Sequence, residues 1–314
     1  MSNSFPPNHI RANFRTIGKP GFDLIESSLR QNFFKRNTEA YLSTDQGKTD
    51  LENHLRHRLE VNRIAMIPWL DEARPLANSK ILEIGGGTGC STVALAEQGA
   101  TVVAVDIDED ALTVARERCQ VYGVNARFVQ ANAIDVHQLF AGETFDFIIF
   151  YASLEHLLLP ERLAAMRATW EMLPRGALWC VVEAPNRLWY YDQQASRLPF
   201  FMWLPDELAF QYSSRSPRAG YGDRYRDDSE ESRLHFLRRG RGVSFHEFDL
   251  AMKPVRELKV KSSLKMETRH RGLLKSIKWR MSDEYKYLTL LRKLAPDIDE
   301  GFLQALLYLI IEKD

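Results

Sequence analysis

The stretch KILEIGGGTGCSTVALAEQGATVVAVDID, residues 80–108, sets an apolar run, a glycine cluster, a helix-forming segment and a second apolar run in immediate succession. Ile81, Leu82 and Ile84 make a continuous apolar patch of strand length. Gly85, Gly86, Gly87 and Gly89 follow, and a backbone without Cβ atoms can turn sharply there and approach a ligand closely. A helix begins near Cys90, and the second strand, from Thr101 to Val105, ends on Asp106. Strand, glycine turn, helix and strand form one parallel βαβ unit with a right-handed crossover.

Outward from this unit the rhythm continues. A helix is expected from Asp108 to about Tyr122, strands at Arg127–Gln130, Phe145–Phe150 and Ala177–Val182, and a helix from Pro160 to Leu173. Strands alternating with helices of 10–15 residues imply a parallel sheet covered on both faces. The expected fold is α/β, a doubly wound Rossmann-like sheet with a helical N-terminal cap and an insertion after the fifth strand. Four segments are expected: the cap over residues 1–75, the core over 76–184, an aromatic and arginine-rich insertion over 185–250, and a C-terminal completion of the sheet over 251–314. In the cap, Leu51, Leu55, Leu59, Asn62 and Met66 recur near helical spacing, and Pro68 and Pro75 are expected to interrupt the run. His54 and His57, beside Arg56 and Arg58, read as a solvated face. Leu306–Ile311 reads as a final buried strand, and Ser244–Glu247 as a helix start with a capping box.

The 314 residues carry 42 basic and 42 acidic side chains, so no net field points to nucleic acid or an anionic membrane. Three cysteines, Cys90, Cys119 and Cys180, lack the short spacings of a zinc or redox site and read as reduced thiols. No run of 18 uncharged apolar residues and no leader pattern occurs, so a cytoplasmic protein without a transmembrane segment is expected. No paired His/Asp spacing suggests a metal. A homodimer through the N-terminal helices is possible.

The chemistry of the glycine turn narrows its ligand. An acid some 20 positions past such a turn, here Asp106, accepts from ribose hydroxyls. Dinucleotide sites place a third glycine where this chain has Cys90, and Glu83, two residues before the first glycine, would repel a pyrophosphate. A carboxylate there suits a ligand with an ammonium and a sulfonium.

Residues 80–108 thus resemble the first two motifs of the class I S-adenosylmethionine-dependent methyltransferases of the small-molecule type, and the resemblance extends over about residues 76–185. It implies S-adenosylmethionine as cofactor, with Gly85, Gly86, Gly87 and Gly89 along its methionine part, Glu83 beneath, and Asp106 on the ribose. The third motif, usually an acid and a small residue on the adenine, falls on Asn132 and Ala133, where the asparagine carbonyl can accept from the adenine amine. Ile107 either packs on the adenine face or belongs to the core.

Methyl transfer from sulfonium needs an aligned electron-rich atom and a dry site, and a hydroxyl acceptor gains from a base. His156, after the fourth strand, is the candidate base, or else it orders its loop. Glu155 orients it or meets the acceptor. Asn186, Arg187, Tyr190, Tyr191 and Trp203 are candidates for the acceptor side, with a satellite core as the alternative use of the aromatics. His246 could fold back to the pocket or simply begin a helix. Arginines within 215–241 and lysines within 253–278 would favour an acceptor bearing phosphate or carboxylate if they are not a solvated surface. The expected activity is methyl transfer, to oxygen, of a small-molecule, glycan-linked or lipid-linked acceptor. N- or C-methylation, a nucleotide-dependent oxidoreductase and a non-catalytic cofactor-binding protein are the alternatives.

Overall fold

The computed structural model describes residues 6–35, 39–218, 220–239, 241–264 and 273–314. Seven strands, β1 (Lys80–Ile84), β2 (Thr101–Asp106), β3 (Arg127–Gln130), β4 (Phe147–Tyr151), β5 (Leu178–Pro185), β6 (Lys259–Ser263) and β7 (Leu306–Glu312), lie in the order β3-β2-β1-β4-β5-β7-β6. β1 pairs parallel with β2, and β2 with β3. The chain runs outward from β1 to β3 and then returns to β4. The strand order therefore reverses at β1, where open α/β sheets bind ligands beyond the strand ends. The expected doubly wound sheet is present, with one addition: β6 pairs antiparallel with β7. β6 escaped the sequence reading because Lys259-Val260-Lys261-Ser262-Ser263 is short and polar, as edge strands are.

The chain divides into two compact units, Met1–Ile149 with Met172–Leu178, and Phe150–Glu171 with Trp179–Asp314. These cut across the four segments expected from sequence.

In the first unit, helical segments follow one another without a gap from Asp45 to Ala73, with π-helical turns at Asn53–His57 and Asn62–Met66. The apolar positions explain them. Leu51, Leu55 and Leu59 are four apart, so a regular α-helix of 3.6 residues per turn would rotate each about 40° away from the last. A wider π turn brings them back onto one face, and all three are buried. Pro68 does not interrupt this run as expected; it occupies the first turn of Ile67–Ala73, after the second π segment, where a missing N–H is tolerated. Arg63 pins the run to Glu97 through Nε to Oε1 at 2.8 Å and Nη2 to Oε2 at 2.7 Å.

In the second unit, Trp179 is fully buried between Phe150 and Phe248, with Phe302 beyond. The aromatic and arginine-rich insertion is ordered more than its composition suggested. Phe201, Phe210, Tyr221, Tyr225 and Phe236 build a satellite core, and Trp189 joins Leu288, Leu303 and Ala305 in another. The helix Glu230–Leu237 is capped by Ser229. Arg241, expected on a solvated face, is buried, bonding Asp206 at 2.9 Å and the Leu204 carbonyl at 2.6 Å. The capping box at Ser244 and Glu247 forms as read.

Candidate active site

At the end of β1 the chain enters Gly85 at φ 88°, Gly87 at φ 50° and Gly89 at φ 80°, a conformation open to glycine and costly for other residues. Each glycine does something different. A Cβ on Gly89 would stand 2.8 Å from Ala115, so this position lets the helix Cys90–Ala96 press against Glu109–Tyr122. A Cβ on Gly86 would meet Ala104 at 3.1 Å, whereas one on Gly87 would meet nothing within 4 Å. Open space therefore adjoins the turn at Gly87.

Glu83 lies beneath this turn and is wholly buried. Its Oε2 accepts from the Thr92 hydroxyl at 2.5 Å, while Oε1 has no hydrogen-bond partner among the described residues. Burial, with Asp106 adding to it, pushes the Glu83 carboxyl above the usual range. Asp106 closes the turn from the other side, accepting from Gly87 N at 2.8 Å and from Asp108 N at 3.0 Å. Each of its oxygens retains a lone pair beyond the one spent on the backbone. Ile107 is 67% exposed, which removes the core alternative for it. Asn132 caps the short helix Ala133–Asp135, its Oδ1 accepting from Ile134 N at 3.3 Å, so its carbonyl already holds the local turn.

Within the second unit, the loop after β4 is strained: Ala152 has φ 42°, and Glu183 in β5 has φ 65°. Outliers of this kind persist where the surroundings over-determine them, often at functional sites. His156 Nδ1 lies 2.8 Å from the Arg238 carbonyl. A carbonyl only accepts, so Nδ1 carries the proton, and in the neutral ring the lone pair sits on Nε2. That nitrogen is 3.9 Å from Glu155 Oε1. Glu155 is buried, its Oε2 has no partner among the described residues, and burial followed by the neighbouring Glu183 pushes its carboxyl up to about 8. Arg162 fastens the loop: it donates to the Leu157 carbonyl at 3.0 Å, the Gly242 carbonyl at 2.7 Å and Glu247 at 2.8 Å.

The remaining acceptor-side candidates separate. Asn186 is buried and its amide donates to the Phe302 and Gln304 carbonyls while its oxygen accepts from Leu188 N; its polar capacity holds backbone, contrary to the expectation of acceptor contact. Arg187 sits 3.7 Å from Asp206. Tyr190 packs on Tyr287 at 4.9 Å, and Tyr191 makes an isolated bridge with Pro199. Trp203 is half-exposed against Phe200 at 4.8 Å. His246 is exposed at the start of the helix Phe245–Ala251, stacked on Phe245 and 3.3 Å from the Ser244 hydroxyl.

A family model described as a methyltransferase domain matches residues 81–176. The ubiquinone biosynthesis O-methyltransferase of Aliivibrio fischeri (strain MJ11) is 32% identical over 127 residues, 40% of this chain and 53% of that protein. The enzyme of that name from Pseudomonas fluorescens (strain Pf0-1) matches at 32% over the same shares. The region is a class I S-adenosylmethionine-dependent methyltransferase domain. The chain spans about half the length of the relatives it matches. Among solved structures, the magnesium protoporphyrin IX methyltransferase of Synechocystis PCC 6803 with bound SAM is 20% identical, covering 55% of this chain and 80% of its own, at a TM-score of 0.39.

The residues of the methyltransferase domain fit its cofactor, S-adenosylmethionine, on two counts. A buried carboxylate oxygen of Glu83 is left without a partner among the described residues, and the turn is open where a Cβ would otherwise fill it. Glu83 acts from beneath, through its field, rather than as an exposed wall.

Two residues at the domain's turn were missed in the sequence. His54, read as solvated, is largely buried: Nδ1 is 3.2 Å from the Thr88 hydroxyl and the ring packs on Phe33 at 4.5 Å. Burial, then Arg58 and Arg118, pulls its pKa down to about 3. Arg118 is fully buried, donating to the Thr88 carbonyl at 2.7 Å, the Leu55 carbonyl at 3.2 Å and the His54 carbonyl at 2.7 Å. A signal existed for Arg118, because Ala111, Ala115, Arg118 and Tyr122 occupy one helical stripe and a charge within it needs partners.

Proposed function

We propose that this protein transfers a methyl group from S-adenosylmethionine to an oxygen of a small-molecule acceptor. Glu83 attracts the ammonium end of the cofactor, Gly85, Gly86, Gly87 and Gly89 let it approach the backbone, Asp106 accepts from its ribose, and Ile107, Asn132 and Ala133 border its adenine. The cofactor supplies a methyl group on a positively charged sulfur. The chain's own part is to hold an acceptor in line, keep water out and remove a proton.

The observation that carries the oxygen-directed reading is the bond from His156 Nδ1 to the Arg238 carbonyl, which leaves Nε2 as the basic nitrogen of the neutral ring. Glu155 supports the same reading, since a carboxyl held up to about 8 stays largely protonated near neutrality and does not lock the imidazole into a charged pair. The relatives named ubiquinone biosynthesis O-methyltransferase also favour oxygen as the target. Tyr190, Tyr191 and Trp203 are offered as the apolar wall on the acceptor side, and His246 as a peripheral contact. A glycan or lipid attached to the acceptor, a homodimer and a cytoplasmic location belong to this reading as proposals. Among the described residues no helix is long and apolar enough to cross a membrane.

The test is single-turnover transfer of labelled methyl to a panel of hydroxylated acceptors, with products identified by mass spectrometry. His156→Ala is expected to lower kcat by about 100-fold or more while leaving cofactor affinity unchanged. Full turnover by that variant, or methyl found on nitrogen or carbon, would remove His156 from the role of base.

A further inference from the structure

The arginine-rich block has an unbalanced remainder. Four of its eight arginines have an acidic partner among the described residues: Arg226 pairs with Asp223, Arg233 with Asp228 and Glu207, Arg238 with Glu161, and Arg241 with Asp206. Arg218, Arg224 and Arg239 have no carboxylate partner among the described residues. They gather around one side chain, Tyr225, whose ring is fixed against Tyr221 at 5.3 Å and Phe236 at 5.2 Å. All three act electrostatically on its phenol. Tyr225 is only 5% exposed, and its hydroxyl, which Arg224 approaches, has no partner in full hydrogen-bonding geometry among the described residues.

The cluster is held in place rather than splayed. Arg218 Nη1 donates to the Gln194 carbonyl at 2.8 Å and the Ala195 carbonyl at 3.1 Å. Arg239 Nε donates to His235 Nε2 at 3.2 Å, which requires a neutral imidazole with its lone pair on that nitrogen. His235 is kept neutral by partial burial and then by Arg239 and Arg224. Arg239 itself is pulled below the ordinary arginine range, first by desolvation and then by repulsion from Arg224. The acids facing the group do not neutralise it. Asp192 is spent on the backbone N–H groups of Gln194, Ala195 and Ser196, and Glu231 acts on His235.

Arg218, Arg224 and Arg239 are exposed around the buried Tyr225 ring, so their like charge is open to a multivalent anion that would offset it. We infer that Arg218, Arg224, Arg239 and the Tyr225 hydroxyl form a site for a phosphate-type dianion. Guanidinium forks match the oxygens of phosphate in pairs, and a dianion offsets this charge better than a single carboxylate. The site stands one residue along the chain from Arg238, whose carbonyl holds His156. That adjacency makes a phosphate borne by the methyl acceptor the occupant, a step that rests on the proposed O-methylation. The anion site itself does not rest on it.

The experiment titrates the full chain with inorganic pyrophosphate, without cofactor, by calorimetry, and in parallel sediments it with phosphatidylcholine vesicles with and without phosphatidic acid. Binding in the first arm identifies a soluble phosphate, and binding in the second alone a lipid-borne one. The paired substitution Arg224→Gln with Arg239→Gln is expected to weaken binding about tenfold or more. Arg215→Gln, elsewhere in the block, should leave binding unchanged. No binding in either arm, equal binding by the paired variant, or an equal loss with Arg215→Gln overturns the inference. Titration with S-adenosylhomocysteine is run separately; failure there counts against the methyltransferase activity and leaves the anion site standing.

Discussion

Glu83 and Glu155 are buried carboxyls, each with one oxygen left without a partner among the described residues. Their neighbours give them different work. Glu83 sits under the glycine turn bonded by the hydroxyls of Thr92 and Ser91 and by no cationic side chain among the described residues, so its charge is available to a cationic ligand. Glu83→Gln should weaken S-adenosylmethionine about tenfold by calorimetry while the fold persists, since one unscreened charge contact is worth about 1.4 kcal/mol or more; unchanged affinity would discard that role. Glu155 gives a pH signature. Its folded pKa, about 8, is above its usual 4.5, so its contribution to stability is complete below about 4.5 and lost as pH rises through about 8. His54 works in the opposite sense. With its pKa down at about 3 from 6.5, its contribution is present above 6.5 and lost as pH falls toward 3. Melting temperatures from pH 4 to 9 should show Glu155→Gln flattening the alkaline limb and His54→Phe the acid limb, each leaving the other limb in place.

The connection between elements that matters most at the turn is Arg118. A π-helical turn leaves carbonyl groups without their usual i+4 partners, and Arg118 takes up two of them, on His54 and Leu55, together with the Thr88 carbonyl in the glycine turn. One guanidinium thereby fixes the N-terminal helices to the loop that meets the cofactor. Arg118→Met keeps the volume but removes the guanidinium donor to three carbonyls, and is expected to cost about 3 kcal/mol in urea unfolding. It should also weaken cofactor binding, because Thr88 loses its anchor. A loss of stability with cofactor affinity intact would show that the anchor is structural only. The stripe Ala111, Ala115, Arg118 and Tyr122 made this legible in principle. The carbonyls it reaches lie 30 to 64 residues earlier in the chain and have no sequence signature.

At the scale of the whole molecule, cofactor binding should be visible as stability. At a hundred times Kd, S-adenosylmethionine adds about 2.7 kcal/mol, or a rise in melting temperature of roughly 5 °C for a chain of this size. NAD should give none, and a shift with NAD alone would favour the oxidoreductase reading set aside for want of a third glycine at Cys90. What the sequence determined by itself was local and periodic: the strands β1 to β5, the glycine turn with Glu83 and Asp106, and the closing strand β7, because apolar runs and backbone without Cβ are properties of adjacent residues. What only the tertiary structure decided was the use of polar side chains. Asn186 was spent on backbone, His54 was drawn against the glycine turn, Arg118 and Arg241 were buried, and Arg218, Arg224 and Arg239 were left without a carboxylate among the described residues. The physical reason is that a charge or an amide is defined by the partner it finds, and those partners are brought together by folding across long separations in the chain.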